Sequence, residues 1–187
     1  MNRPVFLIGY MGSGKSSLGR QLAREMQRDF IDLDKYIEAR FHLTVKQIFD
    51  EKGEEGFRLI ERNMIHEVAD FENVIVACGG GTPCYFDNMD FMLSHGLTIY
   101  LNVPVEVLAL RLALPGSRTK RPLIAGKSDE ELLEYVRGGL ERRLPYYNRA
   151  EVNFNATHLL NKAETIQTAL QLAQVITDYE NSHNMQS

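Results

Sequence analysis

A chain of 187 residues is long enough to bury one self-sufficient core, and 44% hydrophobic with 25% charged residues is the composition of an ordinary globular protein. The formal net charge of -4 speaks against a general nucleic-acid binder, which would present a broadly basic surface, although a local basic pocket stays compatible with it. No stretch is apolar and long enough to span a bilayer, and the two cysteines, Cys78 and Cys84, make no disulfide framework, so a cytoplasmic, membrane-free protein with plain packing thiols is the expectation.

In chain order, Pro4-Val5-Phe6-Leu7-Ile8 is a short continuous apolar run of the kind that forms a buried parallel strand. Gly9-Tyr10-Met11-Gly12-Ser13-Gly14-Lys15-Ser16 follows at once, and Leu18, Leu22 and Met26 then recur at helical spacing. A signal-peptide core over Val5 to Met11 is rejected, because no cleavage site follows and the run leads straight into the glycine loop. Asp29-Phe30-Ile31-Asp32 reads as a second strand. Helical patterning resumes at Lys35 to Glu38, and a longer helix is expected from about Val45 to Ala69. Val74 to Cys78 is a β-branched third strand closed by Gly79-Gly80-Gly81, and Leu97 to Leu101 a fourth, with Pro104 at a helix start. A weaker fifth strand lies near Val152 to Phe154. The last helix places Ile166, Leu170 and Ala173 at core-facing spacing, with a polar tail expected to fray from Asn181. Strands alternating with helices make this one α/β domain over 1–187, a parallel sheet covered on both faces. Leu114 to Ser128 has no strong period, four basic residues, and glycines at 116 and 126. Such a segment in a compact domain is read as a lid, over about 112–128.

Strand, glycine loop and helix form the context in which GxxxxGKS binds phosphate. The glycines let backbone N–H groups close around phosphate oxygens where the helix dipole favours negative charge. Lys15 can reach the β- and γ-phosphates of ATP, and the Ser16 hydroxyl can ligate Mg2+. Gly12, Ser13, Gly14, Lys15, Ser16 and Ser17 are therefore the expected nucleotide contacts. A guanine-reading element is not supplied by Asn161-Lys162-Ala163-Glu164, which is better read as a helix N-cap. Asp32 and Asp34 are expected at a strand end and on one side, where one carboxylate serves the metal and the other a substrate hydroxyl. A plainer reading of Asp34 is a cap for the helix from Lys35. Arg58 and Glu61 are neighbours on a helix, an exposed pair of small energetic worth that can nevertheless hold the guanidinium for a carboxylate. Arg143, just before Pro145, is placed opposite Arg58. Three consecutive glycines at 79–81 need a reason, and close approach of backbone to a ligand is a sufficient one.

Taken together, these pieces resemble the shikimate kinases. The matching stretches run in family order: Gly9 to Ser16, Phe30 to Asp34 with Ile37-Glu38, Gly56-Phe57-Arg58 with Glu61, Gly79 to Pro83, Arg121-Pro122-Leu123, and Arg143-Leu144-Pro145-Tyr146-Tyr147. The resemblance implies a three-layer P-loop fold of the nucleoside monophosphate kinase type, with a five-stranded parallel sheet in order 2-3-1-4-5, substrate-binding helices over about 33–62, and a mobile lid. It implies transfer of the γ-phosphoryl group of ATP to the 3-hydroxyl of shikimate, with no partner beyond these two small molecules and no need for more than a monomer. By position, Lys15, Asp34 and Arg121 are the implied catalytic residues, with Arg121 reaching ATP from the lid. Ser16 and Asp32 serve magnesium. Asp34, Arg58, Gly79, Gly80, Gly81 and Arg143 meet the acceptor. The segment ahead of Arg121 is slightly expanded, so the adenine-stacking arginine is either Arg111 or Arg118. Gluconate kinase is the nearest alternative on the same fold, and a non-catalytic nucleotide-binding regulatory module the alternative of another class.

Overall fold

The computed structural model describes residues 3–118 and 122–184. Val5–Ile8 (β1) leads into Lys15–Met26 (α1), then Asp29–Asp32 (β2), Leu33–Phe41 (α2) and Val45–Ala69 (α3). Val74–Ala77 (β3), Asn88–His95 (α4), Leu97–Asn102 (β4), Val105–Ala113 (α5) and a single turn at Pro115–Arg118 (α6) follow. Asp129–Glu141 (α7), a turn at Leu144–Tyr147 (α8), Val152–Asn155 (β5) and Lys162–Asn184 (α9) complete the order. All four residues of β1 and of β3 are buried, as a strand sandwiched between helix layers requires.

The sheet is entirely parallel, in the order β2-β3-β1-β4-β5, and is flanked by helices. Val5 pairs with both Ile75 and Leu97, which makes β1 the central strand. The backbone N–H of Cys78 donates to Leu7 O at 3.0 Å, so the chain leaves β3 beside the loop that leaves β1. In an open parallel sheet the crevice at the carboxyl ends of the strands is where ligands collect.

Local sequence explains the helix starts. Thr44 with Gln47 and Ser128 with Glu131 form reciprocal capping boxes on α3 and α7. Asn161 Oδ1 accepts from the Glu164 N–H at 2.9 Å, the cap anticipated for α9. α3 is kinked at Gly53, whose φ of 69° and ψ of -178° lie outside helical space.

Three expectations are corrected. The α2 cap is Asp32, whose Oδ1 accepts from the Lys35 N–H at 3.4 Å, while Asp34 lies in the first turn. The two carboxylates thus meet across a strand-to-helix turn rather than by strand alternation. The buried row of α9 is Ala169, Leu172 and Ile176, against which α1 packs, and Leu170 is 45% exposed. A shift of one residue rotates a helical position by roughly 100°, and the small Ala169 side chain allows closer approach than leucine would. Finally, α9 stays helical past Asn181. One nitrogen of Arg28 donates to both oxygens of Glu180, at 2.8 and 2.7 Å, and His183 stacks on Tyr179, so the last turns are anchored.

The corrected face of α9 has a measurable consequence. Leu172→Ala is expected to cost about 2–5 kcal/mol in urea unfolding, and Leu170→Ala less than about 0.5 kcal/mol. Equal losses would return the face to its sequence-based assignment.

Candidate active site

The glycine loop joins β1 to α1 and leaves the helix N-terminus open. Gly14, the residue before α1, has φ of 96° and no side-chain cap. A Cβ there would lie 2.5 Å from Leu159 Cδ1, a side-chain tip that can shift, so it is the conformation that requires glycine. The first N–H groups of α1 therefore point at the cavity with the positive end of the helix dipole behind them. Ser13 is buried, its N–H donating to Tyr10 O at 3.2 Å, so it shapes the loop from inside. Ser17 lines the cavity, its hydroxyl donating to Gly14 O at 3.0 Å. Lys15 donates to Gly9 O at 2.6 Å and Tyr10 O at 2.9 Å, folded back on the loop. Burial lowers its pKa to about 8, against the opposing pull of Asp34.

The cavity, of about 490 Å³, brings Lys15, Ser16, Asp32 and Asp34 together with Gly79 and Gly80. The Ser16 hydroxyl donates to Asp32 Oδ2 at 2.6 Å. Burial raises the Asp34 carboxyl to about 6, with Glu61 and Asp32 adding repulsion and Lys15 opposing them. Asp34 is thus an acid poised close to neutrality, which is what a general base needs. Among the described residues no cluster of three or more histidine, cysteine or acidic side chains is placed to hold a metal by itself. A hydroxyl and a carboxylate in contact nevertheless fit a hard divalent cation that keeps several waters and takes phosphate oxygens for its other ligands.

Next to this pocket stands a second group of charges. The Arg58 Nη1 donates to Glu61 Oε2 at 2.7 Å, and Glu61 Oε1 accepts from the Thr82 hydroxyl at 2.6 Å. The pair is buried, with side-chain exposures of 13% and 1%, not the exposed pair that helix spacing alone suggested. The glycine triplet lies against these groups. A Cβ at Gly79 would meet Glu61 Oε1 at 2.8 Å, and one at Gly81 would meet Arg58 Nη2 at 2.8 Å. Gly79 and Gly81 thus lie against side chains of α3, whereas a Cβ at Gly80 would make only ordinary contacts. Gly80 lies beside Arg143, and its carbonyl accepts from the Tyr147 hydroxyl at 2.5 Å. The Arg143 guanidinium rests over the Tyr10 ring, 4.9 Å from its centroid. Arg58, from α3, and Arg143, from the α7–α8 junction, thus both lie against the triplet.

Arg111 is bound to the backbone. It donates to Gly12 O at 3.2 Å, Ala156 O at 3.0 Å and Thr157 O at 2.8 Å, tying the glycine loop to the segment after β5, and it lines the cavity. Arg121 and the side chain of Arg118 lie outside the described residues. Of the expected lid, Leu114 and Ser117 border the cavity and Ile124 is buried. Both cysteines are free, and burial holds the Cys78 thiol well above its ordinary range, as a packing thiol requires.

Sequence reasoning missed one contributor and part of the role of two others. Tyr10 occupies a variable position of the phosphate motif and carries no signal that it would underlie Arg143. Arg111 is a candidate for adenine by sequence, but its bonds to the backbone of the glycine loop and of the segment after β5 carry no signal there. Glu61 was noticed, but only its reach to Arg58, since its bond to Thr82 joins positions 21 residues apart.

Residues 11–174 match the family model described as shikimate kinase. A shikimate kinase of Parabacteroides distasonis is 52% identical over 160 residues, covering 86% of this chain and 91% of that protein. The crystal structure of shikimate kinase from Bacteroides thetaiotaomicron superimposes with a TM-score of 0.87 at 46% identity, covering 94% of this chain and 98% of that one. Shikimate kinase from Acinetobacter baumannii in complex with shikimate gives a TM-score of 0.79 at 29% identity, covering 96% and 95%.

The raised carboxyl of Asp34 sets a sign for stability. Its ionised form is disfavoured by folding, so the associated stability is intact below the ordinary 3.8 and lost as pH rises through about 6. In nucleotide-free protein, Asp34→Asn is expected to stabilise the fold by about 1–3 kcal/mol above roughly pH 7, the gain vanishing near pH 4, in urea titrations. A destabilised variant at neutral pH would show that the Lys15 contact outweighs the burial.

Proposed function

Because the chain belongs to the shikimate kinase family, we propose that it transfers the γ-phosphoryl group of ATP to the 3-hydroxyl of shikimate, giving shikimate 3-phosphate and ADP on the route to chorismate and the aromatic amino acids. One observation carries the reading. An open helix N-terminus with Lys15 and Ser16, a near-neutral Asp34, and two arginines against a glycine triplet share one end of the sheet.

The roles follow from the chemistry. The N–H groups at the start of α1 hold the phosphate chain, and Lys15 leaves the carbonyls of Gly9 and Tyr10 to neutralise charge on the β- and γ-phosphates. Ser16 and Asp32, in contact with each other, are the residues that would hold magnesium, which would draw charge from the phosphates. Asp34 accepts or orients the proton of the attacking hydroxyl. Arg58, its direction set by Glu61, and Arg143, carried on Tyr10, hold the ring carboxylate, and Gly79, Gly80 and Gly81 offer backbone contact. Arg121 reaches the γ-phosphate from the lid over about 112–128, and the helices over 33–62 carry the acceptor side. Arg111 takes the adenine edge, supported by its place on the cavity wall. All of these residues come from one chain of one kinase domain, so a monomer suffices, and the free thiols fit the reducing cytoplasm.

A coupled ATPase assay tests the reading directly. Turnover is expected with shikimate and not with gluconate or without acceptor. Substantial turnover on gluconate would replace the acceptor. Lys15→Met should abolish activity, whereas Arg58→Ala and Arg143→Ala should weaken shikimate binding by about 2–5 kcal/mol. An unchanged shikimate affinity in either arginine variant removes that residue from the clamp.

A further inference from the structure

Arg58 is held on more sides than a partner at one helical turn can account for. Besides Glu61 at its edge, the ring of Tyr85 lies 4.0 Å from the guanidinium carbon, closer than the ring of Phe57 at 5.2 Å. Gly81 closes in on the same group, since a Cβ there would fall 2.8 to 3.1 Å from Nη2, Nη1 and Cζ. Tyr85 is itself anchored. Its hydroxyl donates to Glu54 Oε1 at 2.6 Å, and that oxygen lies 3.5 Å from Arg58 Nη2. The contact links two breaks in regular structure. Glu54 follows the Gly53 kink of α3, and Tyr85 follows the turn at Thr82–Cys84 that ends the glycine segment.

An aromatic face against a guanidinium attracts it and also restricts it to one plane. A fork meets a carboxylate bidentately in one orientation only, so an arginine already fixed in plane and direction loses less freedom on binding. Glu61 fixes the direction of the fork. The plane needs a second contact, and Tyr85 supplies it.

We propose that Tyr85, anchored through Glu54, is a positioning residue for the acceptor acid, setting the plane in which Arg58 presents its fork. The inference rests on the reading of Arg58 as a holder of the substrate carboxylate.

Steady-state kinetics of four variants, with thermal unfolding alongside, provides the test. Tyr85→Leu is expected to raise KM for shikimate about tenfold, with kcat within about twofold and KM for ATP unchanged. Tyr85→Phe keeps the ring and loses only the anchor, so a rise of about two- to threefold is expected. In the Arg58→Ala background, Tyr85→Leu should add no further rise. A merely structural tyrosine would lower Tm and the active fraction without this split between KM and kcat. The proposal is overturned if Arg58→Ala raises KM for shikimate but Tyr85→Leu leaves it unchanged, or if Tyr85→Leu raises it equally without Arg58. Should Tyr85→Leu not fold, an unchanged KM in Tyr85→Phe overturns the anchored form of the proposal. A normal KM in Arg58→Ala alone strikes the reading of Arg58 itself, a separate failure.

Discussion

The open N-terminus of α1 at the end of the central strand is the constraint around which the rest is arranged. Residues in regular structure pair their backbone groups, but the first turn of a helix leaves N–H donors without internal partners. Gly14 holds that turn in a left-handed conformation that carries no capping side chain, so the donors stay available to a ligand. Because β1 lies between β3 and β4, whatever leaves β3 emerges next to that turn. The glycine triplet is what leaves β3. Phosphate and acceptor groups therefore face each other through sheet order, without any long loop having to find its place.

Charge around this opening is kept in tension. Glu61 is buried and Lys15 and Asp34 are half-buried, and no single pairing neutralises all three. Lys15 is bound to carbonyls, Glu61 is shared between Arg58 and Thr82, and Asp34 is left with its carboxyl raised to about 6. Buried charge without a full complement of partners is costly, and such cost is tolerated where a ligand completes the set. Anionic oxygens would complement Lys15, and a carboxylate would complement the arginines.

Much of this was legible in residue order. The boundaries of β2 and of α3 follow from patterning, because strand burial and helix capping are local properties, whereas α4 was not read from it. Asp32 and Asp34 do line one cavity, but not for the reason the sequence suggests. Strand alternation was expected to align them, whereas the chain turns into α2 between them and a helical turn does the same work. The face of α9 was misjudged by one residue, since periodicity shows that a stripe exists but small side chains such as Ala169 decide where a partner helix comes closest.

Residue spacing by itself determined that a phosphate-binding turn, a pair of acids and a glycine triplet exist, and pointed to the kinase family to which the chain belongs. Those features are contiguous, and their meaning lies in local backbone chemistry. Only the folded arrangement decided which groups share a surface: Tyr10 beneath Arg143, Arg111 across to Thr157, Thr82 on Glu61, Tyr85 over Arg58. These contacts join positions 21 to 133 residues apart and depend on how a parallel sheet stacks its crossovers, which no local pattern encodes.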